Sequence, residues 1–126
     1  MVKVTEESVS PQLLLNALRT DSSGSIVMHL GIVRPDSEGR EVVLIEYEAN
    51  INEAEIELSD VANEIRAKWK LQDIVLYRRI GKLNLGDVIL IAAVAAPHRK
   101  EAFEACDYAV GRMRTMTTIR KREIVE

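Results

Sequence analysis

Residues 88–108 read V-I-L-I-A-A-V-A-A-P-H-R-K-E-A-F-E-A-C-D-Y, and this stretch decides the fold. Val88 to Ala96 is apolar at every position. A strand with one wet face would alternate, so the unbroken run predicts a central strand covered on both faces. Pro97 breaks the run, and Arg99 to Met113 takes up helical spacing. Ala102, Cys106, Ala109 and Met113 form one stripe, with Phe103 and Val110 beside it. His98, Arg99 and Lys100 fall at the junction. The first N–H groups of a helix have no partner within it, and cations beside free N–H groups suit an anion.

Outward from this core, Asn52 to Trp69 is the clearest helix. Ala54, Leu58, Val61, Ala62, Ile65 and Trp69 share one face, and Glu53, Glu57, Asp60, Glu64 and Lys68 take the other. Ser10-Pro11 reads as an N-cap and first helical residue for a short helix to Thr20. Ser25 to Val33, Val42 to Tyr47 and Ile74 to Ile80 read as strands. Gly31 marks a bulge or a close backbone approach. Arg34 to Arg40 is a polar loop expected to move, Gly81 to Gly86 a turn, and Thr115 to Val125 a last strand or tail. Helices and strands mix without a βαβ period, which gives α+β with a mixed or antiparallel sheet and two long helices packed on it.

The 126 residues are 47% apolar, enough for a core and against disorder. The length fits a single domain over 1–126. Twenty acidic residues against 17 basic ones give a net charge of −3, which argues against non-specific nucleic-acid binding. Cys106 is the only cysteine, so no internal disulfide forms, as fits a reducing compartment. The N-terminus lacks the apolar segment of a signal peptide. The longest apolar run is too short to cross a bilayer. A cytoplasmic protein with no membrane partner is the expectation.

Several cations are candidates for chemistry. His98 and Arg99 form an anion site or, more commonly for such a pair, a solvated helix cap. Arg112, Arg114, Arg120, Lys121 and Arg122 make a basic cluster. It either holds a phosphate or carboxylate or is a solvated strand edge that discourages aggregation. Arg34 and Arg40 bracket the loop and could close over an anion, although most loop arginines do not. Alternation puts Arg78 and Arg79 on opposite faces, so at least one should be solvated. Cys106 reads as a buried structural thiol, and His29 as a satisfied core or interface histidine. No Cys/His spacing makes a metal site. No glycine-rich phosphate loop and no serine nucleophile elbow is present.

Together, Gly31-Ile-Val-Arg34, Gly39-Arg40 with Val42, Leu44-Ile-Glu-Tyr-Glu-Ala49, Ile80-Gly-Lys-Leu-x-Leu-Gly86, His98-Arg99 through Cys106, and Lys121-Arg122-Glu123 resemble the large, catalytic subunit of molybdopterin synthase, in family order. The resemblance implies a hammerhead-like α+β fold and a homodimer within a heterotetramer. It implies a ubiquitin-like sulfur carrier as partner and cyclic pyranopterin monophosphate as substrate, with no bound cofactor. It makes Lys121 catalytic and places Arg34, His98 and Arg99, with Arg40, around the substrate. Four departures stand out. Arg114 replaces a usual catalytic lysine, Thr117-Thr-Ile-Arg120 replaces an aromatic segment, Arg78 stands where a histidine is common, and the C-terminus is short. Arg114 opens an alternative, a non-catalytic paralogue that binds the carrier or a pterin phosphate.

Overall fold

A computed structural model describes the backbone of residues 1–34, 36–37 and 40–125, and the side chains of 1–34 and 44–124. In chain order the elements are β1 (Val2–Thr5), α1 (Pro11–Ala17), β2 (Ser25–Ile32), β3 (Asp36–Ser37) and β4 (Arg40–Ala49). They continue as α2 (Ile51–Lys68), β5 (Asp73–Arg79), β6 (Gly81–Asn84), β7 (Val88–Ala96), α3 (Arg99–Arg114) and β8 (Ile119–Val125). The class is α+β, as the mixed pattern required.

One sheet has the order β1-β5-β7-β2, antiparallel except for the parallel β1–β5 pair. β7 lies inside it and is buried from Leu90 to Ala96. Alternation divides its side chains between two layers. Leu90, Ala92, Val94 and Ala96 pack with Ala54, Leu58 and Ile65 of α2 and Ala102, Ala105 and Ala109 of α3. Ile91, Ala93 and Ala95 pack on the other face with Leu14 and Leu18. Alanines on both β7 and α3 let that helix approach closely. The Cys106 thiol donates to the Ala92 carbonyl at 3.5 Å. Burial pushes this thiol up to about 11, which agrees with a structural role. Phe103, read as bordering the packed stripe, is instead 61% exposed. The close alanine contacts take the space beside the sheet.

The second sheet is built on β4. β3 forms an antiparallel pair at its start, and β6 and β8 flank its later half. Residues 81–84, read as a turn, are therefore a strand, closed by a turn at Gly86. Gly81 and Gly86 have φ of +87° and +86°, a region that disfavours other residues. β1 was not expected. Four residues carry too little pattern, and its parallel pairing with β5 is a long-range contact. Gly31 meets both readings made of it. The β2–β7 register shifts between Gly31 and Ile32, and a Cβ at Gly31 would lie 3.0 Å from Leu90 Cγ. The Arg34–Arg40 loop spans residues outside the described set, so the expected mobility falls outside it too.

α2 starts where Asn50 Oδ1 accepts from the Glu53 N–H at 3.1 Å, a standard N-cap. At Ser10 the backbone has the cap conformation, but the side chain makes no capping bond. Leu58, at the centre of α2's inner face, has no exposed surface. Leu58→Ala is expected to cost about 2–5 kcal/mol, read as a lower urea midpoint at unchanged m-value.

Candidate active site

Near the C-terminal end of α3, both sheets and the helix enclose a cleft of about 310 Å³. Its walls come from the end of β2 (Gly31 to Arg34), from Ile45 and Tyr47 of β4, and from Ile89 and Leu90 of β7. Met113, Met116 and Ile119 complete the apolar surface. Four cations line it: Arg34, Arg78, Arg114 and Lys121. No acidic side chain among the described residues does.

The basic cluster is divided by the fold. Arg112 pairs with Glu64 at 3.2 Å. On β8, alternation sends Arg120 and Arg122 to the outer face, where they meet Glu48 at 3.8 Å and Glu46 at 2.7 Å across the strand pair. Lys121, between them, sits opposite Tyr47 and faces the cleft. Its Nζ lies 3.7 Å from Glu123 Oε1, two residues along. The cluster is therefore split: Arg112, Arg120 and Arg122 form ion pairs outside the cleft, and Arg114 and Lys121 line it.

His98 and Arg99 lie elsewhere. Both are exposed at the N-terminus of α3, and the His98 ring is 4.0 Å from Glu101. A 16-residue helix is about 24 Å long, so this pair and Arg114 occupy opposite ends of it. Arg34 lines the cleft. Arg40 begins β4, and its side chain lies outside the described residues.

Arg78 was missed. It is 5% exposed, and its guanidinium carbon lies 4.2 Å from the Tyr47 ring centroid. Burial, opposed by Tyr47, draws its pKa below the ordinary arginine value. Neither residue of the Arg78-Arg79 pair is simply solvated, since Arg79 is only 17% exposed and bridges Asp87 at 3.7 Å. A signal for Arg78 existed: it shares parity with Ile74 and Leu76, both buried on the helix-covered face. His29 is half-buried, and among the described residues its Nε2 has no partner, so it is not a satisfied core histidine. Among the described residues no cluster could hold a metal ion, and no helix is long and apolar enough to cross a membrane.

The model of the MoaE protein family matches residues 4–116. The chain belongs to the MoaE family. It is 35% identical to the molybdopterin synthase catalytic subunit of Thermoplasma volcanium, over 99% of this chain and 91% of that one. Against the subunit of the same name from Bacillus subtilis the figures are 32%, 98% and 79%. The crystal structure of molybdopterin synthase from Staphylococcus aureus superposes with a TM-score of 0.91 at 32% identity, covering 98% and 90% of the chains.

In this MoaE-family chain the segment leading to Lys121 is held by Glu57 of α2. The Glu57 carboxylate accepts from the backbone and hydroxyl groups of Thr117, at 3.0 and 3.2 Å, and of Thr118, at 3.0 and 2.6 Å. Sequence periodicity put Glu57 on the solvated face, and its anchoring role was not legible there. Burial alone would raise its pKa, but the four hydrogen bonds outweigh that and hold it below the ordinary 4.5. A carboxyl with a depressed folded-state pKa stabilises at neutral pH and loses that contribution as pH falls below 4.5 through the lowered value. Glu57→Gln is expected to lower stability at pH 7 by about 1 kcal/mol, partial solvation limiting the effect. Urea melts should show the difference from wild type shrinking in acid.

Proposed function

We propose that this chain works as the large, catalytic subunit of molybdopterin synthase. It brings a thiocarboxylated, ubiquitin-like carrier to cyclic pyranopterin monophosphate and transfers sulfur to form the molybdopterin dithiolene. The observation that carries the proposal is the cleft that, among the described residues, is lined by four cations and no acidic side chain, in a chain of this family. The two anions of the reaction, a phosphate and a thiocarboxylate, are what such a cleft would hold.

Lys121 is the proposed catalytic residue. Among the described residues it is the only amine lining the cleft, and it would stand beside the carrier's C-terminus and stabilise charge at the reacting sulfur. Arg114 supplies a second positive charge. A guanidinium stays protonated, so it serves by electrostatics and hydrogen bonding, not as a base. Arg34 would hold the substrate at the cleft mouth, with Arg40 from β4.

His98 and Arg99 would join the site only from a second copy of the chain, because their own helix carries them to the far end from Arg114. This fits a homodimer within a heterotetramer. The exposed Phe103, one turn along α3 from Arg99, offers apolar surface at that end.

Dithiolene formation with a thiocarboxylated carrier tests the proposal. Wild type should turn over, and Lys121→Ala should lose on the order of 10²–10³ in kcat. Silence in wild type with activity in Arg114→Lys would instead identify a binding-only paralogue lacking one amine. Arg99→Ala should weaken precursor binding in calorimetry with little change in Tm. Equal losses of both would count against a ligand role.

A further inference from the structure

Arg78 is the one buried charged side chain among the described residues. A charge removed from water ordinarily has an opposite charge beside it. Here no carboxylate lies within 4.0 Å of the guanidinium among the described residues. Nη1 donates to the carbonyls of Arg79 at 2.8 Å and Ile89 at 3.4 Å, and the group stacks on Tyr47. These contacts fix the plane of the guanidinium and occupy its Nη1 corner. The Nε–Nη2 edge is left, the edge that meets two oxygens of one carboxylate or phosphate side by side. Among the described residues the Nε–H has no acceptor and is closed to water as the side chain stands, so an oxygen meets it only with a small shift of the guanidinium.

We infer that Arg78 is a receptor for an oxyanion, a group carrying two oxygens on one centre, at the apolar wall of the cleft. The inference rests on the cleft being the substrate site. It assigns Arg78 to ligand binding and not to holding the fold together. Three observations carry it: the side chain is buried, among the described residues it lines a cleft whose other charged side chains are all positive, and its Nε–H has no acceptor there. Two sources share the required chemistry, the phosphate of a small substrate and the terminal carboxylate of a bound chain.

If the fork waits for a ligand, the empty protein carries an uncompensated buried charge. An apolar residue of similar size should then be tolerated or should stabilise, while anion binding is lost. A structural arginine would behave in the opposite way.

Thermal unfolding of the full chain at matched ionic strength separates the two. The additions are chloride alone, inorganic phosphate, N-acetylglycylglycine, or the amide of that peptide. Phosphate or the free-acid peptide should raise the wild-type Tm above the chloride control. Arg78→Met should unfold at the wild-type temperature or higher in chloride and bind the same probe at least roughly tenfold more weakly. Arg78→Lys, which keeps the charge without the fork, should also bind more weakly, and it decides the matter if the Met variant does not fold. A response to phosphate alone names a phosphate ligand. A response to the acid but not the amide names a chain terminus. Equal responses to acid and amide overturn the proposal. So does an Arg78→Met protein that is less stable yet keeps its full response. Loss of response in Lys121→Ala with retention in both Arg78 variants leaves the cleft standing and removes Arg78 from it. No response in wild type removes both.

Discussion

β7 has no face to give to water. Its side chains are buried on both sides from Leu90 to Ala96, so the sheet must be covered twice. α2 and α3 cover one face, and α1 with Leu14 and Leu18 covers the other. α3 follows β7 after a two-residue connection and runs back along the sheet. Its C-terminus thus returns to the end of the sheet where β7 began. That return sets Arg114 near Ile89 and Leu90 at the cleft, and places His98 and Arg99 a helix length away.

Within the cleft, among the described residues, the lining charges are all positive, and Glu123 beside Lys121 is the one carboxylate within 4.0 Å of them. In a site partly closed to water, like charges repel more strongly than at the surface. The fold tolerates four cations there because three of them, Arg34, Arg114 and Lys121, remain exposed to solvent in the empty protein. Arg78 is the exception. Its cost is reduced by two backbone carbonyls and an aromatic ring, neither of which neutralises it.

Much of this was legible from pattern alone. The unbroken apolar run announced β7, and 3.6-residue spacing announced most of the buried faces of α2 and α3, missing Ala105 and misplacing Phe103. Arg34, Arg114 and Lys121 were named before their convergence could be seen. The remainder depended on contacts distant in sequence. β1 and β6 take their identity from partners more than thirty residues away. Glu57 becomes an anchor only because residues sixty positions later return to it. Arg78 was obscured by its neighbour: two adjacent arginines suggest solvent, although its parity with Ile74 and Leu76 pointed inward.

The ion pairs of β8 have a consequence beyond their small individual strength. Glu48 opposite Arg120 and Glu46 opposite Arg122 form a two-rung ladder on the outer face, with Tyr47 opposite Lys121 between them. A slip of one residue would turn every β8 side chain over. The amine would leave for solvent and a guanidinium would take its place. The chemistry of this site is therefore carried partly by strand alignment, and the outer glutamates act as its spelling check. An insertion or deletion between Arg114 and Ile119 that the connection does not absorb would shift that alignment.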